Sequence, residues 1–362
     1  MQRITQLQLT LMFILFHFST TTGFLIGPIS SSAGYQGWLA ILLASIGGIL
    51  ITFLSFTLAK RKESEFIVHY GKELIGRVPN IIIMIVFGFF FLHLASLVLR
   101  EISDFMVQIY LPTTPEWVIA GLFGLVITIA VRSGLEAILR CASGFFFIIF
   151  GIAGITPFLI GKELNTERMI AFITHINPGS LFHESYPFIP WFGEMFLILF
   201  IFPWIANPQK TFRSLTWAMV ISLFFIELNL VLCLLLFGSK LSGQLTYPVL
   251  EMIRFIRIGD FLENLDPIIV AVWLSSLFIK ISVLLYIPTL IVSQLFKLKD
   301  ARPLSFSLGA IMVGLSMHMF KNIIELNNFL IKTWPNFALC VECIPLIYLV
   351  ASIIKKHPRK SG

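Results

Sequence analysis

Ten stretches of the chain are apolar and nearly free of charge, at residues 7–28, 38–59, 80–110, 117–131, 141–161, 191–208, 217–238, 267–295, 304–320 and 337–354. About 20 apolar residues in a helix cross the hydrocarbon core of a bilayer. The pattern therefore predicts ten transmembrane helices. Between them lie short polar segments. Residues 60–77, KRKESEFIVHYGKELIGR, read as a charged amphipathic stretch on the membrane surface. Residues 162–190 and 239–265 read as outer loops, the first with a short amphipathic piece at 166–176. A signal peptide is weighed at the start, because Arg3 precedes the first apolar stretch and SSSA follows it at 30–33. The polar outer half of that stretch, with Ser19, Thr20, Thr21, Thr22 and Gly23, reads instead as a first span that leaves regular helix or packs closely on a neighbour.

Composition agrees. Of 362 residues 57% are hydrophobic and only 12% charged, and mean hydropathy is +0.91. A soluble domain carries about 25% charged residues and could not cover its core with so few. The net charge of +7 then reflects topology rather than nucleic acid. With both termini cytoplasmic, seventeen of the 26 Lys and Arg fall on the inner side and seven on the outer, leaving Arg100 and Lys280 within spans.

Charges inside spans are the informative positions, since each costs about 2.5 kcal/mol or more at mid-bilayer. The sixth span, WFGEMFLILFIFPWIANP, carries Glu194 beside Gly193 and is broken by Pro203 and Pro208. A carboxylate and a helix break in one span suit a binding site; a snorkelling glutamate above a plain kink is the simpler alternative. Glu227 lies mid-way along the seventh span, as a site charge or an interhelical hydrogen bond. Lys280 near the centre of the eighth must sit in a polar cavity, face a carboxylate such as Glu227, or be neutral. His93 lies mid-way in the third span, and Arg100 and Asp104, four apart, share one helix face where they can pair.

Ten spans divide into five and five, residues 1–161 and 187–354, with a basic tail at 355–362. Five is odd, so the second unit enters the membrane from the opposite side. The interrupted spans, first and sixth, open the two halves, and paired breaks in inverted repeats point to a central transporter-type site. The fold class expected is an all-α integral membrane protein with a 5+5 inverted repeat and discontinuous helices 1 and 6. Half-helix ends at the breaks would suit the charged groups of an amino acid, or an ion.

Four segments carry a family resemblance: TTGFLIGP at 21–28, LREISDFMVQIYLPTTP at 99–115, PWFGEMFLILFIFP at 190–203 and FLENLDPIIVAVWLSSLFIKISVLLY at 261–286. On these the chain resembles the B subunits of bacterial spore germinant receptors, the GerB-type spore germination family of the amino acid–polyamine–organocation transporter superfamily. Thr21 stands where a first glycine is common in that superfamily. The resemblance implies a LeuT-like fold and a nutrient sensor in the spore inner membrane, working with an A-type membrane subunit and a C-type lipoprotein subunit. It places Thr21, Thr22, Gly23, His93, Leu97, Glu194, Leu197 and Phe200 around a ligand pocket. It also places Lys280 where sodium-coupled relatives hold an ion; Glu227, Arg100 and Asp104, as charges within spans, are read as further ion-site or gating charges.

Other chemistry is thin. The sequence has no GxxxxGK[ST] phosphate loop. His17, His69, His93, His175, His183, His318 and His357 show no metal spacing, so neither metal nor cofactor is implied. Cys340 and Cys343 read as small apolar helix residues. An enzyme is not indicated. A germinant sensor and a proton- or sodium-coupled amino acid transporter remain as alternatives, and the residues alone do not separate them.

Overall fold

The computed structural model describes residues 3–256 and 266–356, and within them the chain is almost entirely helical. Part of the second outer loop, with Arg257, and the tail with His357, Arg359 and Lys360 lie outside the described residues. Eight helical stretches are long and apolar enough to cross a membrane. The first of them, Gln6–Lys62, folds back at Gly34, whose φ of 55° suits a residue without a side chain, and so makes two spans. The pair Arg302–His318 and Ile323–Lys332, bent by 103°, supplies one more. Ten spans result among the described residues, as the hydrophobic pattern predicts.

Differences from the pattern lie at the ends. The sixth span starts thirteen residues earlier than its apolar run, at Pro178–Ser185 inside the expected outer loop, with Asn177 capping it and Pro178 at its first turn. Proline at N1 outweighs the polar composition there. The seventh helix runs on to Gln244 across a kink at Gly238, where Arg168 donates to the freed carbonyls of Leu235 and Leu236 at 2.9 and 2.7 Å. A further helix, Pro248–Arg254, lies in the second outer loop. The ninth span ends at His318, and the amphipathic helix Ile323–Lys332 then turns away from it by 103°. The inner stretch at 60–77 folds its helix Ile67–Ile75 onto the bundle: Asn80 donates to Val68 O at 3.0 Å and accepts from Tyr348 at 2.8 Å. At its exposed edge a hydrogen bond from Lys62 holds the Glu73 carboxyl below its ordinary pKa.

Burial ranks the spans. In the most apolar part of the sixth span 83% of residues are buried, against 22% in the fifth, so the sixth is central and the fifth faces lipid. The first is equally central, with Met12 to His17 all fully buried. It therefore belongs to the core of the bundle. Inside lipid every backbone polar group needs a partner within the protein. Serines and threonines in the spans turn back onto their own helix, as Ser96 does to Leu92 O at 2.8 Å and Thr52 to Gly48 O at 2.8 Å.

At the end of the bundle where the first span begins, Ile4 and Ile205 form a short parallel bridge, with Ile4 N donating to Trp204 O at 2.8 Å and Ala206 N to Ile4 O at 2.9 Å. Gln6 ties both to the seventh helix through Asn207 O and Ser214 Oγ, each at 2.7 Å. The start of the first span and the end of the sixth are thus zipped together, closing that end of the bundle.

Arg100 and Asp104 pair at 3.0 Å, and Arg100 also meets Glu116 of the fourth span at 3.0 Å and Ser316 O of the ninth at 3.4 Å. This network joins three spans. Arg100→Ala leaves Asp104 buried without its cation and is expected to cost about 3 kcal/mol in thermal unfolding. Loss of less than about 0.5 kcal/mol would place the pair among surface bridges.

Candidate functional site

The first and sixth spans both abandon α geometry at mid-membrane, and they do so in opposite senses. The first widens into π turns at Thr21–Leu25, between α-helical Gln6–Thr20 and Ile26–Ala33. π turns are rare and concentrate at functional positions. The sixth tightens into 3-10 turns at Glu194–Leu197, between short α segments Ile189–Gly193 and Ile198–Ile201, and again at Phe202–Trp204. Neither interruption is an extended loop; backbone angles stay helical and only the bonding pattern breaks. Trp273 of the eighth span donates to Ser19 O at 2.7 Å, just before the π turns. Its ring lies where a Cβ on Gly23 would be, so Gly23 is required for this contact.

Lys280 and Glu194 meet at this level. Lys280 is 1% exposed, and its Nζ lies 2.6 Å from Glu194 Oε2. The ammonium also donates to Thr20 Oγ1 at 2.8 Å and sits 4.7 Å from the Phe16 ring centre. The first, sixth and eighth spans are thereby cross-linked by one buried ion pair. The carboxylate that meets Lys280 is Glu194; Glu227 instead holds both its oxygens buried and without partners among the described residues.

Around the pair is a cavity of about 10 Å³, room for one water, lined by Thr20, Leu97, Glu101, Trp191 and Trp334 among others. Outside it lies a larger, polar vestibule of about 230 Å³ lined by Phe24, Pro28, Tyr247 and Asn327. Glu101 lines both spaces. The site is therefore closed at the Ile4–Ile205 end of the bundle and shares Glu101 with the vestibule.

Leu97 and Glu194 line the central cavity. Thr22 and Gly23 line an adjoining, largely apolar cavity of about 70 Å³. Thr21 is buried and donates back to His17 O at 2.5 Å. His93 stands behind the cavity wall, stacked on Trp334 with ring planes 8° apart. Leu197 is fully buried in the core, and Phe200 packs edge-on to Phe87 and Phe91 of the third span. Arg100 and Asp104 belong to the lateral network and do not line the cavity.

Thr20, Glu101, Trp191, Trp334, His17 and Glu342 are site residues that sequence reasoning passes over. His17 is fully buried beside Phe192, and its Nε2 has no hydrogen-bond partner among the described residues. Glu101 is hidden by its neighbours: the Arg100–Asp104 spacing draws attention to the other helix face. Glu342 is the lone acidic residue of the tenth span, and the argument that selects Glu194 applies equally to it.

Residues 3–324 match the family described as spore germination protein. The chain belongs to that family. Among its relatives, spore germination protein KB of Bacillus subtilis (strain 168) is 25% identical, over 99% of this chain and 97% of its own length. Spore germination protein YndE of the same organism is 25% identical over 99% and 98%. Among solved structures, Mhp1, a nucleobase-cation-symport-1 family transporter in a closed conformation with bromovinylhydantoin bound, superposes with a TM-score of 0.69 at 13% identity, over 97% of this chain and 78% of that one. MhsT in complex with L-phenylalanine superposes with a TM-score of 0.63 at 12% identity, over 97% and 99%. At such identities the likeness speaks for fold alone. This family member is thus a multi-pass membrane protein with the LeuT-like fold of transporters, and its GerB-type relatives are spore germination proteins.

Proposed function

We propose that the protein is the ligand-binding membrane subunit of a spore nutrient receptor. It takes a small zwitterion, an amino acid or a close analogue, between Lys280 and Glu194. The observation that carries this reading is the ion pair itself, buried where two irregular helices meet. A zwitterion can split such a pair without net loss: its carboxylate goes to the ammonium and its ammonium to the carboxylate. Leu97, Trp191 and Trp334 would then face the side chain. With one water's worth of space the present state is occluded, and the ligand would enter from the vestibule as the layer containing Glu101 moves.

A receptor of this kind sits in the spore inner membrane with both termini inside, beside an A-type membrane subunit and a C-type lipoprotein. Ligand shifts the complex only by binding one conformer better than another. In this reading Lys280 takes the place of the ion in sodium-coupled transporters. Thr21, Thr22, Gly23 and His93 shape the walls one layer out, and Glu227 is a further ion-site charge.

Thermal-shift measurements on purified protein against small nutrients test this directly, since a ligand at 100 times its Kd adds about 2.7 kcal/mol. An amino acid that raises the melting temperature of wild type but not of Glu194→Gln supports the reading; equal shifts in both refute it. A second reading, a coupled solute transporter, draws on the same pocket and on the named transporters that share the fold. Solute flux into proteoliposomes holding the protein alone would favour it.

A further inference from the structure

The ion pair does not account for all the charge at the centre. Lys280 can neutralise one carboxylate, and three are buried around it: Glu194, Glu101 and Glu342. Glu342 is the anomaly. It is 0% exposed, and neither of its oxygens has a hydrogen-bond partner among the described residues. Its side chain reaches across from the tenth span to the backbone of the sixth at Gly193, where a Cβ would overlap Oε2. It therefore presses on the residue next to Glu194, at the start of the 3-10 turns.

An ionised carboxylate left there unpaired would cost several kcal/mol. Among the described residues the surroundings offer no cation to spare. Lys280 faces it but is held by Glu194 at 2.6 Å. Its own helix contributes only Cys343. The second span, Gly37–Ala59, packs on the same joint and carries no charged side chain. From the third span His93 is stacked on Trp334, and Glu101 is turned to the cavity and vestibule. Helix Ile323–Lys332 keeps Glu325 at the outer surface, bonded to the amide of Lys321.

The geometry points to Glu342 as a proton-binding site whose occupancy sets the contact between the sixth and tenth spans. With a proton in place, the carboxyl is neutral and the two helices close on Gly193. When the proton leaves, the O–H bond breaks, its electron pair stays on the carboxylate, and the proton passes by Glu194 and Glu101 to water in the vestibule. Two adjacent carboxylates then share one ammonium, and their repulsion separates the helices at the 3-10 turns. The inference rests on the central site described above but not on the identity of its ligand.

Amide hydrogen exchange in residues 189–201 of the full-length protein in lipid nanodiscs, corrected for intrinsic rates and without any nutrient, reads this contact. Raising pH from about 5 to about 9 should lower protection in wild type by about tenfold or more. Glu342→Gln, which copies the protonated form in shape and charge, should stay protected throughout. A Glu342→Gln protein that keeps the wild-type response overturns the proposal, as does a response lost in Glu101→Gln but kept in Glu342→Gln. If Glu342→Gln does not fold, infrared difference spectra of wild type decide. A protonated-carboxyl band lost as pH rises supports the site, and its absence at every pH overturns it. Failure of nutrients to shift the melting temperature would sink the binding reading and leave this one standing.

Discussion

Lys280→Met is expected to abolish any response to a zwitterionic ligand and to lower stability by about 3–5 kcal/mol. The ammonium has three partners, Glu194, Thr20 and the Phe16 ring, and is almost wholly buried. Methionine fills much of the volume but leaves Glu194 as an unpaired buried carboxylate. The double variant Lys280→Met with Glu194→Met removes both charges and is expected to recover most of the lost stability, because an apolar pair of similar size is often as stable as a buried ion pair. It should not recover ligand response. This split between stability and binding separates a functional pair from a merely structural one. A Lys280→Met protein that binds and signals normally would remove the ion pair from the mechanism.

Gly48→Ala is expected to destabilise by about 3 kcal/mol, the upper part of the range for overpacking. The second span crosses the sixth at this residue, and a Cβ there would meet Phe192 Cβ and the backbone of Phe192 and Gly193. Backbone cannot rotate away. Gly47→Ala is the control: its Cβ would meet only the branched end of Ile189, the nearest atom at 2.9 Å, and a rotamer change can relieve it. Chemical or thermal unfolding of the two variants in detergent should differ by at least about 1 kcal/mol. Equal losses would mean that the helices slide rather than clash. Because Gly193 also receives Glu342, the Gly48 position supports the joint on which the central charges depend.

The physics that made the fold legible is simple. Lipid admits only helices, so apolar length counts spans directly, and an odd number in each half fixes their inverted relation. Glu194 and Lys280 stood out because isolated charges in apolar stretches have no cheap structural use. Partner choice was harder to read. From the chain alone Glu227 and Glu194 are equally available to Lys280, since nothing local says which of the sixth and seventh spans faces the eighth at that depth. Leu197 and Phe200 illustrate the same limit: the family resemblance implies that they line the pocket with Glu194, but the change to 3-10 turns alters the rotation per residue, and Phe200 packs in the aromatic cluster with Phe87 and Phe91.

By itself the sequence determined the number of spans, the paired interruptions that open the two halves, and the mid-membrane charges worth asking about. It did so because transfer of each segment into hydrocarbon is a local, nearly additive property of its residues. Tertiary packing alone decided that the ammonium meets Glu194, that Glu101 stands between cavity and vestibule, and that Glu342 lies against Gly193. Those facts depend on helix rotation and depth. They are set by contacts between residues that stand up to 260 positions apart, as Thr20 and Lys280 do.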